Sequence, residues 1–218
     1  MCFGSAAQPQ KDAAPTVTAN FHRPEAWASL IPMTTLTTLP AVETRQLILR
    51  EIEPRDAKAF IGFMIQEPYQ RHIAMRLKDE AEVKAFVNRS VARRGDERRN
   101  VFHLAAEEKS SGEAVGDGFI IVQRKGLLEV GWGVHPAMWA MGLGSEIGRV
   151  LLGLGFERLA AQRIWCKTMA QNRASGKLAR RIGMRHVQSH ADYPAGGGRF
   201  EPVEIFAMTA AEYFELGY

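Results

Sequence analysis

The chain has 218 residues, 46% of them hydrophobic and 24% charged, with a net charge of +4 and a pI near 9.2. That size and apolar content suit one domain with an extension, and every apolar run is too short or too interrupted to span a bilayer. The mild basicity fits a solvated surface or a small anionic ligand, no Lys/Arg stripe interleaved with aromatics suggests a nucleic-acid track, and the two cysteines, Cys2 and Cys166, lie too far apart for a zinc motif and fit a reducing compartment.

Residues 1–43 are rich in Ala, Pro, Thr and Ser and have little periodicity, which predicts a flexible extension ahead of a domain over 44–218. Phe21, Trp27, Leu30 and Ile31 are apolar enough for part of it to dock as an arm, and Met33 is a candidate second start. No basic segment precedes a continuous apolar stretch, so a signal peptide is not expected and the cytoplasm is the expected location.

Gln46 to Ile52 reads as a strand, and Pro54 sits near the first turn of a helix running to about 65. A second helix over 79–94 has Val83, Phe86, Val87 and Val91 on one face. Three strands over 100–107, 114–123 and 127–135 are separated by Ser110–Gly112 and Lys125–Gly126, a spacing that predicts an antiparallel meander. Ile147, Val150, Leu151 and Leu154 give a helix over 143–158 an apolar stripe. A fifth strand over 163–168, a basic helix over 172–182 ended by Gly183, and strands over 184–190 and 203–209 complete the order, with Pro194–Gly198 as a mobile loop. The class is α+β: a mixed, mostly antiparallel twisted sheet of about seven strands flanked by about four helices. The helix between the fourth and fifth strands lets those two run parallel through a right-handed crossover.

The stretch from Glu129 to Glu146 carries the most chemistry. It reads as an apolar strand, a short turn, and Gly142 and Gly144 at the start of an amphipathic helix. A glycine lets a ligand approach the backbone, and the first N–H groups of the helix lack intrahelical partners and carry the positive end of its dipole. That combination holds phosphate. The alternative is a plain strand–turn–helix whose glycines serve packing.

Four patterns together resemble the GNAT superfamily of acyl-CoA-dependent N-acyltransferases, and within it the branch of ribosomal-protein-alanine N-acetyltransferases. They are Thr44–Arg50 followed by Pro54–Asp56, Glu129–Pro136, Trp139–Glu146, and Asn172–Ser175 followed by Ile182–Met184. The resemblance spans roughly residues 44–215 and implies the fold above. Trp139 stands where the superfamily's loop usually has Gln or Arg, and Ala140 adds a methyl group near the phosphate approach. Many members place a Tyr seven residues after the Asn; Ala179 stands there, and Ser175 is the substitute the matched branch suggests.

The resemblance implies acetyl transfer from acetyl-CoA, as co-substrate and without a metal, to a primary amine on a protein N-terminus or a small molecule. A base must take the amine proton, and the departing thiolate benefits from a donor. Glu129 is the expected base, or else a paired structural carboxylate. Ser175 is the expected thiolate donor, or else a helix-capping hydroxyl. Val134, Met141, Gly142, Leu143, Gly144, Ser145, Asn172 and Ser175 are the expected acetyl-CoA contacts. His135 and Tyr193 are candidates for the acceptor side. Arg173, Lys177, Arg180 and Arg181 form a solvated basic face or meet the CoA ribose phosphate, and Trp132 and Trp139 are core or pocket wall. The segments near 66–80 and 191–202 are expected to shape the acceptor pocket. A rival reading is a GNAT-fold protein whose catalysis has decayed and which binds or assembles through its N-terminal extension; nucleic acid and membrane are not expected partners.

Overall fold

The structure, a computed structural model, describes residues 38–73, 76–194 and 199–217. Most of the expected N-terminal extension and most of the glycine loop at 195–198 therefore lie outside the described residues. The elements are β1 (Val42–Glu43), β2 (Leu47–Glu51), α1 (Asp56–Met64), α2 (Glu67–Gln70), α3 (Glu80–Ala92), β3 (Val101–Glu108), β4 (Ala114–Arg124), β5 (Leu127–Val134), α4 (Leu143–Gly153), β6 (Arg163–Met169), α5 (Arg173–Arg181), β7 (Arg185–Pro194), β8 (Phe200–Thr209) and α6 (Ala210–Glu215). They form one eight-stranded sheet in the order β1-β2-β3-β4-β5-β6-β8-β7.

The sheet has eight strands where about seven were expected, and α2 and α6 exceed the four expected helices. β1 spans two residues and α2 spans four, too short to show periodicity. α6 is set by a capping box, in which Thr209 and Glu212 satisfy each other's backbone N–H groups. Order also reaches ahead of Thr44: Leu39 is buried, and its N–H donates to Glu51 Oε1 at 2.8 Å.

Period-two alternation assigns the faces. Leu128 and Val130 of β5 and Ile164 and Cys166 of β6 enter one core with Ile147 and Leu151 of α4 and Ala179 and Ile182 of α5. Each fully buried leucine or isoleucine there contributes about 1.5–3 kcal/mol. On the opposite face, Phe60 and Phe63 of α1, Tyr69 of α2, and Val83 and Phe86 of α3 pack together with Ala105 of β3. Trp165, Val203, Ile205 and Ala207 form a third cluster from β6 and β8, with Met169 and Tyr193 against it.

β5 and β6 are parallel, and every other strand pairing is antiparallel. Their register covers only Leu127↔Arg163, Leu128↔Ile164 and Glu129↔Trp165. Past that point each strand follows its outer neighbour. β4 holds β5 as far as Val134, and β8 holds β6 as far as Met169. A wedge therefore opens in the middle of the sheet, with the α4–α5 layer on one face and α1–α2 on the other. No helix among the described residues is long and apolar enough to cross a membrane.

Candidate active site

The turn into α4 lies on the first face of the wedge. Gly142 is the N-cap, with φ +85°. Ala140 also has positive φ, +65°, a strain of about 1–2 kcal/mol for a residue with a Cβ. The Ser145 and Glu146 N–H groups return to the Gly142 carbonyl at 3.0 and 3.3 Å, while the amides of Met141, Gly142, Leu143 and Gly144 find no acceptor among the described residues. Met141 and Gly142 are exposed, so this turn faces outward. Four free donors at the positive end of an eleven-residue helix suit a diphosphate.

The two glycines differ in role. A Cβ on Gly142 would meet nothing within 4 Å, whereas one on Gly144 would sit 2.6 Å from Leu178 Cδ1. Gly144 thus serves the packing of α4 on α5, and only its amide is left for a ligand. Leu143 is buried and offers only its amide; Ser145, an expected contact, is buried with its N–H already bonded to Gly142, so neither its side chain nor its amide is presented to a ligand. Glu146 anchors the turn: its carboxylate accepts from Thr44 Oγ1 at 2.5 Å, from the Gln46 N–H at 3.0 Å and from Gln46 Nε2 at 2.7 Å.

On the same face, Asn172 caps α5 by accepting from the Ser175 N–H at 3.1 Å. The Ser175 hydroxyl itself makes no protein hydrogen bond among the described residues, so it is spent neither on capping nor on back-bonding. Thr168 of β6 alternates onto this face with Ile164 and Cys166, and its Oγ1 is buried without a partner. A hydroxyl left this way at an unpaired strand edge marks a place for a polar ligand. The Val134 carbonyl accepts from Trp139 Nε1 at 2.9 Å, which leaves one lone pair for a ligand amide. The free amides, the wedge and the orphaned hydroxyl together fit an acyl-CoA. Cys166 offers no nucleophile: burial pushes its thiol well above the usual range.

The opposite face is carboxylate-rich. Glu129, 6% exposed, stands at the last β5–β6 pair. Its Oε1 accepts from Lys167 Nζ at 2.7 Å and its Oε2 from Gln123 Nε2 at 2.8 Å. Lys167 also lies over the rings of Trp165 and Tyr193, at 5.5 and 5.7 Å. Glu129 and Tyr193, far apart in sequence, are thus joined through Lys167. Asp117 of β4 pairs with Gly133 across the strands and accepts the Tyr69 hydroxyl. A Cβ on Gly133 would overlap both groups, so the pair rests directly on β5 beside the wedge. Burial pushes the Asp117 carboxyl up to about 6, and the Tyr69 hydrogen bond restrains the rise. Tyr69 is itself raised well above its ordinary value by burial and by the adjacent carboxylate. His135 caps the short turn after β5, accepting from the Ala137 N–H at 3.1 Å, and its ring packs 5.2 Å from Phe63. That makes it an anchor at the end of the wedge.

The segments expected to shape the acceptor pocket do meet. Residues 71, 72 and 76 line a cavity of about 220 Å³ together with 199 and 201. Sequence reading missed Asp117, Tyr69, Lys167, Gln123 and Thr168. Asp117 had a signal, as a lone charge between Gly116 and Gly118 in an otherwise apolar strand. Among the described residues no group of three or more His, Cys, Asp or Glu could hold a metal.

Comparison with known proteins adds three findings. The family model of the acetyltransferase (GNAT) domain matches residues 46–185. An uncharacterized N-acetyltransferase of Bacillus subtilis, YoaA, is 26% identical over 148 residues, covering 67% of this chain and 83% of that protein. Among solved structures, a GNAT-family acetyltransferase from Bacillus anthracis superposes with a TM-score of 0.70 at 18% identity, covering 79% of this chain and 99% of the other. A RimL ribosomal L7/L12 α-N-protein acetyltransferase, solved with coenzyme A, does so at 0.68 and 15%, covering 78% and 98%.

Proposed function

Because the chain belongs to the GNAT acetyltransferase family, we propose that it transfers an acetyl group from acetyl-CoA to a primary amine, on a protein N-terminus or a small molecule, by direct attack within a ternary complex. The observation that carries this reading is the wedge that opens past Glu129 and Trp165. It joins the free amides of 141–144 on one face to the carboxylates on the other. The solved neighbour that acts on the α-amine of a ribosomal protein supports a protein N-terminus as one acceptor.

Acetyl-CoA supplies an activated thioester. The amides of Met141, Gly142, Leu143 and Gly144 bind its diphosphate, and the Asn172-capped first turn of α5 presents the Ser175 hydroxyl as donor to the departing sulfur. Thr168 Oγ1 adds a second hydroxyl on that side. The two carboxylates divide the work on the amine. Glu129 is held by Lys167 and Gln123, which fixes its carboxylate to attract and orient the ammonium. Asp117 has no cation partner among the described residues, and a pKa raised to about 6 brings it within reach of an α-amine near 8. That is the poise general-base catalysis needs. Tyr69 fixes the Asp117 carboxyl, and Tyr193 walls the acceptor side.

Calorimetric titration with acetyl-CoA, followed by thiol release against a panel of amines, tests the proposal. Micromolar binding and amine-dependent thiol release are expected. Absence of binding at millimolar acetyl-CoA contradicts it. Binding without turnover on any amine would favour a role confined to binding.

A further inference from the structure

A polar cavity of about 220 Å³ lies beside the wedge. It is lined by Arg71, His72, Arg76, Gln171, Arg199 and Glu201, three arginines against one carboxylate. Arg71 donates to Glu67 through two hydrogen bonds of 2.9 Å, Nε to Oε1 and Nη2 to Oε2, between two well-exposed groups, so an incoming anion shares or displaces that carboxylate. Arg199 contacts Glu201 at 3.7 Å. The His72 imidazole is held below its ordinary value, first by burial and then by Arg71, so the cationic character of the cavity comes from guanidinium groups.

Its position ties it to the acceptor. Met169 also lines it, and Met169 shares a β6 face with Trp165 and Lys167, the face opposite α4. Gly133, under Asp117, lies four residues past Glu129 on β5; Met169 lies four residues past Trp165 on β6. At about 3.3 Å per residue the two stand level on either side of the opening. The chain that carries Tyr69 to Asp117 supplies Arg71 and His72 within the next turn. Carboxylates that attract an ammonium therefore adjoin guanidinium groups that attract an anion, in a space suited to one residue. The diphosphate-binding turn is on the other face of the sheet, so the CoA diphosphate does not compete for this cavity.

Resting on the acetyl-transfer reading above, we infer that the preferred acceptor carries an anionic group close to the amine, which the Arg71–Arg76–Arg199 cavity binds. The group is a carboxylate or phosphate, because the planar guanidinium fork matches both. Two sources supply it: a free amino acid, or a peptide with an acidic residue at its first positions.

The test compares matched acceptors on the full chain with labelled acetyl-CoA: L-aspartate against L-asparagine, and peptides that begin with Asp or Glu against the same peptides with Asn or Gln. The acidic member of at least one pair type should show a kcat/KM at least tenfold higher, and the pair type that shows it identifies the source. Arg71→Gln and Arg76→Gln should bring that ratio towards unity by raising KM for the acidic acceptor, with acetyl-CoA affinity unchanged. Equal or inverted ratios with acetyl-CoA binding intact overturn the inference alone; acetyl-CoA binding with no acceptor of the panel acetylated overturns the inference and counts against acetyl transfer. Failure to bind acetyl-CoA overturns the acetyl-transfer reading, and the inference with it.

Discussion

Asp117→Asn should make the protein more stable and less active at once. The Asp117 carboxyl has an ordinary value of 3.8 and is pushed up to about 6 in the fold. Between those values the folded chain keeps a proton that the unfolded chain has released. Stability therefore falls as pH rises through this window, and above it the fold bears the whole cost of an ionised, poorly solvated carboxylate. At 1.36 kcal/mol per pKa unit, that cost is about 3 kcal/mol. Asparagine keeps an acceptor for the Tyr69 hydroxyl and removes the charge. Desolvating its new N–H₂ group returns part of the gain, so a net stabilisation of about 1–3 kcal/mol is expected at pH 8. His103 works in the opposite sense. Burial pulls its imidazole from 6.5 down to about 4, so it weakens the fold as pH falls from 6.5 towards 4. In the wild type the two slopes oppose each other between pH 4 and 6; in the variant only the histidine slope remains. Urea denaturation at several pH values between 4.5 and 8 reads both effects. The same variant should lose about 100-fold or more in kcat/KM, the contribution of a general base. A variant no more stable than wild type at pH 8, with the same pH slope, would refute the assignment of a desolvated carboxylate. Full activity would remove Asp117 from proton transfer.

Three further perturbations test other parts of the site. Tyr69→Phe deletes the hydrogen bond that restrains the Asp117 pKa, so the acid limb of the kcat/KM profile should move to higher pH; an unmoved limb would detach the pair from catalysis. Ser175→Ala removes a hydroxyl with no structural partner, so turnover should fall by about tenfold or more while thermal stability and acetyl-CoA affinity hold; unchanged turnover would exclude the serine. Gly144→Ala forces a Cβ against Leu178 and should cost about 1–3 kcal/mol in chemical denaturation; a neutral effect would show that α5 yields at that contact.

The middle of the sheet was legible because its strands are apolar runs bounded by turn signals such as Ser110–Gly112 and Lys125–Gly126. β3, β4, β5 and β6 were expected within about two residues of where they lie. β7 was harder to bound, because it is an edge strand with nearly every residue exposed; without a buried face there is no alternation to mark its end at Pro194. α2 left no trace, since four residues starting at Glu67 cannot show a helical period. The turn into α4 was legible as a glycine pattern, but the pattern could not separate Gly142, which is open, from Gly144, which is filled by Leu178. That difference depends on how α4 meets α5. The carboxylate contacts were less legible. Glu129 stands out in its strand, but its partners Lys167 and Gln123 come from two other strands, and the Tyr69–Asp117 pair joins residues 48 apart. Such pairings depend on the sheet order, which no local spacing encodes.

Acetyl transfer as proposed requires the amides of Met141 to Gly144 to hold a diphosphate. Calorimetry of acetyl-CoA against Gly142→Asp and Gly142→Asn measures this directly. Both side chains tolerate positive φ and project into open space; they match in size and differ in the charge of aspartate and the N–H donors of asparagine. The aspartate should bind acetyl-CoA at least tenfold more weakly than the asparagine, because it sets an anion against the phosphates. Equal affinities for the two variants would contradict the assignment and move the ligand away from this turn.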